Sequence, residues 1–127
     1  MSVVETLEQY KAIDSLINCK LNELSYLQAL KNKTSVINSP ATKANINLKI
    51  DNLDRLINSE IDRLIVHRGV CMEYINAIPS ELHKAILINK YINGLTFEQL
   101  EIEHHYSKRH LQRIVDNCII YLESLKR

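Results

Sequence analysis

The sequence predicts an all-α protein, a long antiparallel helical hairpin followed by a three-helix unit, and three observations lead there. Apolar residues recur at three- and four-residue steps through most of the chain, the period of one helix face. Only two glycines and two prolines occur in 127 residues, which leaves few tight turns and argues against a β-sandwich or barrel. Apolar residues make up 46% of the chain, enough for a packed core and too many for a disordered segment.

The first element is expected over Val3–Lys33, free of proline and glycine. Val3, Leu7, Tyr10, Ile13, Ile17, Leu21, Leu24, Leu27 and Leu30 form its apolar stripe, while Glu5, Glu8, Lys11, Asp14, Lys20 and Glu23 fill the other face. Some thirty residues is long for a globular helix and points to a coiled-coil-like arm. Residues 34–42 collect β-branched residues, polar residues and Pro40, a composition that reads as a connector. A second amphipathic stretch follows over residues 43–77. Its stripe is Ile46, Ile50, Leu53, Leu56 or Ile57, Ile61, Leu64, Val70 or Cys71, Tyr74 and Ile78, and Gly69 is its one weak point. Two long helices joined by a short connector should pair as an antiparallel hairpin. Residues 1–78 are thus read as a dimerisation arm and 79–127 as a separate unit.

Local stop and start signals divide that second unit. Pro79, Ser80 and Glu81 open a helix, with Ser80 as N-cap in one of several registers. Leu82, Ala85, Ile86, Ile88 or Asn89, and Ile92 carry its apolar face to Asn93 and Gly94, where glycine suits a left-handed cap. Thr96 and Gln99 have the spacing of a capping box and start a short helix over residues 97–103. After a turn at 104–106, Ser107 caps a last helix over residues 108–126.

Net charge is +1, so the chain is not a general polyanion binder. Lys and Arg balance Asp and Glu nine to nine in residues 1–78 and seven to six in 79–127. The asymmetry is local: residues 104–113 hold three Lys or Arg, three His and no acid. In the last helix Leu111, Ile114, Val115, Cys118 and Leu122 fall on one side, with Lys108, Arg109, Gln112, Arg113 and Asp116 opposite. Helix, glycine turn, capped short helix, turn and capped longer helix is the layout of a helix-turn-helix. Arg and Lys can pair with guanine and Gln with adenine in the major groove. Ser107, Lys108, Arg109, His110, Gln112 and Arg113 are therefore the candidate contacts to double-stranded DNA, Ser107 through phosphate.

The stretches Ile78–Lys84, Tyr91–Leu100 and Tyr106–Ile114 resemble region 4 of sigma-70-type sigma factors. They are more similar still to the ArpU/RinA-like late-operon activators of phages of Gram-positive bacteria, and that resemblance extends over nearly the whole chain. It implies a phage or prophage transcription regulator in which Lys108, Arg109, Gln112 and Arg113 fall where sigma region 4 touches the promoter −35 element, with RNA polymerase as an implied partner. The chain departs from the family where a small residue, an apolar residue and a turn glycine are usual. Here they are Glu101, His104 and His105, so the helix crossing should be looser or Ile102 should pack instead.

Other chemistries have less behind them. His104, His105 and His110 beside Glu101 and Glu103 match no HExxH or Cys/His framework, so no metal or cofactor is expected. Neither a phosphate-binding glycine loop nor a nucleophile elbow occurs, which argues against an enzyme. Cys19, Cys71 and Cys118 are scattered and read as small buried hydrophobes in a reducing cytoplasm. The tyrosines near the apolar stripes read as core. No signal segment or membrane span is discernible. The rival reading is a helical module that binds RNA polymerase or a repressor without reading DNA.

Overall fold

The computed structural model describes residues 2–33 and 40–126, and every regular element among them is helical. In chain order these are α1 (Val3–Lys33), α2 (Pro40–Asn76), α3 (Glu81–Leu87) running on into a π-helical segment (Ile88–Ile92), α4 (Phe97–His104) and α5 (Lys108–Leu125). The class is all-α. Among the described residues no helix is long and apolar enough to cross a membrane. Of the expected connector over 34–42, residues 40–42 are helical, since Pro40 already opens α2, and residues 34–39 lie outside the described residues. Proline suits a first helical position because the missing N–H would have no partner there.

Contacts divide the chain into two units, one of Ile13–Ile65 and one of Met1–Ala12 with Val66–Arg127. Residues 1–12 and 66–78, read from the sequence as arm, share their contacts with the C-terminal helices.

In the unit of residues 13–65, α1 and α2 meet along a seam. Leu27, Ile46 and Ile50 form its core, with Leu24, Leu30 and Leu53 packed around them. Ile13, Ile17 and Ile57 extend the buried row. The alternating three- and four-residue spacing is that of a coiled coil. One expected position changes hands. Leu21 is exposed, and Lys20 takes the seam position, its Nζ 3.7 Å from Glu60 Oε1. Arg63 joins the same carboxylate at 3.3 Å. Of the open pair Leu56 and Ile57, Ile57 is buried and Leu56 is exposed.

The other unit gathers the start of α1, the end of α2 and all later helices around one core. Val3, Leu7 and Tyr10 contribute from α1, Cys71 and Ile75 from α2, and Ile86, Leu87, Tyr91 and Leu100 from the segments that follow. The backbone N–H of Val3 donates to the Glu123 carboxylate, an acid at a helix N-terminus where the macrodipole favours it. His67 Nε2 lies 2.6 Å from the Thr6 carbonyl, which also accepts from Cys71 Sγ at 3.6 Å. Burial pushes the thiols of Cys71 and Cys118 upward. Cys19 differs from the expectation: it is exposed. Tyr26 and Tyr121 are exposed as well, whereas Tyr10 and Tyr91 are core.

Within α3 the expected apolar row also shifts. Leu82 and Ala85 face solvent, and Ile86, Leu87 and Tyr91 are buried. Beyond Leu87 the wider turn of the π segment breaks the period: Asn93 N–H reaches back five residues to Ile88 O at 3.0 Å, so a 3.6-residue step no longer tracks the inner face there.

Burial, reinforced by the carboxylates of Glu8 and Asp116, pushes the Tyr91 phenol from 10.0 up to about 12. Between those values the unfolded chain has lost a proton that the folded chain keeps, so stability falls as pH rises through that window. The urea midpoint is expected to decline between pH 10 and about 12, and Tyr91→Phe should remove the part of that decline due to this group.

Candidate nucleic-acid interface

The turn chemistry that sets up α4 and α5 follows the local sequence closely. Ser80 Oγ accepts from His83 N–H at 3.3 Å, which selects Ser80 as the N-cap of α3. Gly94 has φ +71, the left-handed conformation that a side chain disfavours. Thr96 and Gln99 form the full capping box: Gln99 N–H donates to Thr96 Oγ1 at 3.2 Å and Thr96 N–H to Gln99 Oε1 at 2.8 Å. Ser107 Oγ accepts from His110 N–H at 3.2 Å. That bond uses an acceptor site of the hydroxyl and leaves its O–H available to a phosphate oxygen. The first amides of α5 have no intrahelical partner and point the same way.

The apolar side of α5 is fully engaged. Leu111, Ile114, Val115, Cys118 and Leu122 are all buried, and α5 packs on both α3 and α4. With that side fixed, the 100° step per residue turns Lys108, Gln112, Arg109 and Arg113 outward. All four are exposed. The side chains of Arg109, Gln112 and Arg113 make no hydrogen bond or ion pair with the described residues. Lys108 does: its Nζ is 3.8 Å from Glu98 Oε1. The Glu98 carboxyl is held below its ordinary range, first by its own backbone N–H and then by Lys108. His110 is exposed as well. It lies 60° round the helix from Arg113, and its ring sits 4.8 Å from that of Tyr106. All six candidate residues are thus exposed at the start of α5, with Lys108 and His110 at opposite edges of the row.

Two of the three departures from the sigma-like pattern have a local account. His105 occupies the left-handed position at the end of α4, with φ 59 and ψ 34, and its N–H donates to Glu101 O at 2.9 Å. This is a conformation in which glycine carries no steric cost. His104 Nε2 lies 3.0 Å from Asn89 Nδ2, and Asn93 Nδ2 donates to Asn89 Oδ1 at 2.9 Å. A hydrogen-bonded chain therefore ties α4 to the π segment where an apolar contact is usual. Glu101 is half-buried, and Ile102 does not replace it inside: Ile102 is 76% exposed.

Sequence reasoning missed the Glu98–Lys108 pair and the placement of Lys90. The Lys90 ammonium lies 4.5 Å from the Phe97 ring centroid and 5.1 Å from that of Tyr91. Burial lowers its pKa, Lys11 adds to that, and Glu8 opposes it. These groups line a groove of about 380 Å³ with Gly94, Thr96 and Glu98. Its two lysines are matched by two carboxylates, so it has no net charge to attract an anion. The signals were faint in the sequence because Glu98–Lys108 and Lys90–Phe97 each join residues from different elements. Among the described residues no three His, Cys, Asp or Glu side chains converge on a metal position.

Compared with models of known protein families, with curated proteins and with solved structures, the chain matches none.

Replacing His105 by glycine is expected to stabilise the protein by about 1 kcal/mol, because the left-handed backbone would no longer crowd a Cβ. Thermal unfolding should show a higher Tm for His105→Gly and a lower one for His105→Val.

Proposed function

We propose that this protein is a sequence-specific DNA-binding transcription regulator that reads the major groove with the first two turns of α5. One observation carries the reading. Arg109, Gln112 and Arg113 are exposed and unengaged on the same end of a helix whose apolar side is buried. Those side chains have the donor and acceptor geometry for guanine and adenine edges. Ser107 and the free amides of α5 supply phosphate contacts that set orientation. The α3–α5 arrangement then acts as a helix-turn-helix, and the resemblance to sigma region 4 and to the ArpU/RinA-like activators supports a phage or prophage promoter as target and RNA polymerase as partner.

A single reading head with three Lys or Arg releases few counterions. The slope of log K against log salt should be about −3 for one copy. We infer that two copies act together through the 13–65 arm, as dimeric readers do on paired half-sites. Glu98 acts as a built-in competitor for Lys108, since a DNA phosphate must displace it.

A second reading has its own observation. Ile102 lies on the open side of α4 within reach of Glu98 and Glu103 in sequence, an apolar residue with an acidic surround. That surface suits a protein partner better than DNA, and a module that binds polymerase without DNA would use it.

Mobility-shift titrations on DNA upstream of the protein's own operon separate the two. Arg109→Ala and Arg113→Ala should each weaken binding roughly ten- to a hundredfold, the worth of a bidentate base contact. Glu98→Gln should tighten it several-fold. Unchanged affinity in both arginine variants would remove α5 as the reader, and polymerase capture without DNA affinity at low salt would select the second reading.

A further inference from the structure

The arm has two unlike sides. Its seam runs through Ile13, Ile17, Lys20, Leu24 and Leu27 on α1 and through Ile46, Ile50, Leu53, Ile57, Glu60 and Leu64 on α2. The Lys20–Glu60 pair and the Leu27, Ile46 and Ile50 cluster show that the two helices run antiparallel here. In an antiparallel pair with this spacing, residues just before Ile17, Leu24, Ile50, Ile57 and Leu64 fall on one side, and so do those one turn further out.

That side carries Leu16, Cys19, Tyr26 and Leu56, all exposed, with Leu30 half-buried beside them. Tyr26 is 61% exposed and Leu56 is 53% exposed. Its charges are of both signs: Glu23 against Lys33, Lys49 and Arg63. The opposite side carries Asp14, Asp51 and Asp54 without a single Lys or Arg, among Asn, Gln and Ser. Leu21 and Ile65 are its exposed apolar residues.

We propose that the side bearing Leu16, Cys19, Tyr26 and Leu56 is the surface on which a second copy of this chain docks. The proposal rests on the reading that the arm joins two copies, and it names the face. Charge decides between the two sides. Two copies meeting through the acidic side would bring six carboxylates together with no cation, and like charges in juxtaposition cost energy. The mixed side brings carboxylates and cations together, and one of its cations, Arg63, is already held by Glu60. Area agrees as well. Two helices about 10 Å wide lying side by side over some twenty residues offer a face of roughly 20 Å by 30 Å. Its accessible surface approaches the ~800 Å² that each partner contributes to a specific interface. An isologous contact uses the same patch twice, so one face suffices for a closed dimer.

The test is the mass of the full chain in solution without DNA, by sedimentation at several concentrations. Wild-type protein is expected as a dimer, Tyr26→Glu and Leu56→Glu should raise the dimer Kd tenfold or more, and Leu21→Glu on the other side should leave it within about twofold. Circular dichroism confirms that each variant keeps its helices, and Tyr26→Ser gives a milder probe should a glutamate unfold the arm. The Cys19 thiol provides a second readout, labelled slowly by maleimide in the wild-type dimer and rapidly in Leu56→Glu. A wild-type dimer insensitive to Tyr26 and Leu56 overturns the face while the dimer itself stands. A wild-type monomer overturns both. Either result leaves the DNA titrations to be judged on their own.

Discussion

The outward face of α5 exists because its inward face is held. Leu111 is fully buried, and Ile114, Val115, Cys118 and Leu122 follow it at helical spacing against α3 and α4. A helix is rigid about its own axis once several such residues are seated, so the direction of every remaining side chain is set by the 100° step. Arg109, Gln112 and Arg113 project together for that reason and not through any contact of their own. The turn before α5 works toward the same end. His105 reverses the chain in the left-handed region, and Ser107 then starts the helix at a defined residue. A start one residue later would turn the exposed row by a quarter of the circumference.

Polar groups set registers that apolar packing leaves loose. Leucine and isoleucine can slide along a seam with little change in buried area. The Lys20–Glu60 pair allows one alignment of α1 on α2 in the arm. In the other unit, the Thr6 carbonyl with His67 and Cys71, and the Val3 amide with Glu123, do the same for the first turns of α1. A half-buried ion pair adds little stability by itself. Its value is that a shifted alignment would leave both charges short of a partner, as a polar residue in a coiled-coil core does.

Electrostatics divides the molecule into regions that the net charge conceals. A chain at +1 has no long-range attraction for DNA to spare, and α4 adds Glu98, Glu101 and Glu103 close in sequence to the cationic end of α5. The Glu98–Lys108 contact lies between exposed groups and is weak. It nevertheless lowers the free positive charge where a phosphate would approach. On the proposed reading, a protein so arranged would gain little from non-specific binding and would depend on base contacts, on a second copy or on another protein for its affinity.

Local signals were legible in the sequence, and the particular residues show why. Ser80, Thr96 with Gln99, Ser107 and Gly94 act within one turn of themselves, so their types and spacing already define helix ends. The stripe of α5 was equally plain, because a regular α-helix keeps its period. Where the structure decided instead, the cause was either a broken period or a partner distant in sequence. In α3 burial falls on Ile86 and Leu87 while Leu82 and Ala85 are exposed, and the π segment that follows breaks the period. Glu60 drew Lys20 into a seam position that Leu21 would otherwise fill. Cys19 and Tyr26 lie on the flank of the arm and not in its core, which follows from the line along which α1 meets α2. Glu98 met Lys108, and Asn89 met His104, across turns that only the fold closes. Sequence alone determined where helices begin, end and turn their greasy sides, since those follow from backbone geometry within a few residues. Only the tertiary structure determined which polar groups meet, because that depends on distances between elements that no local rule contains.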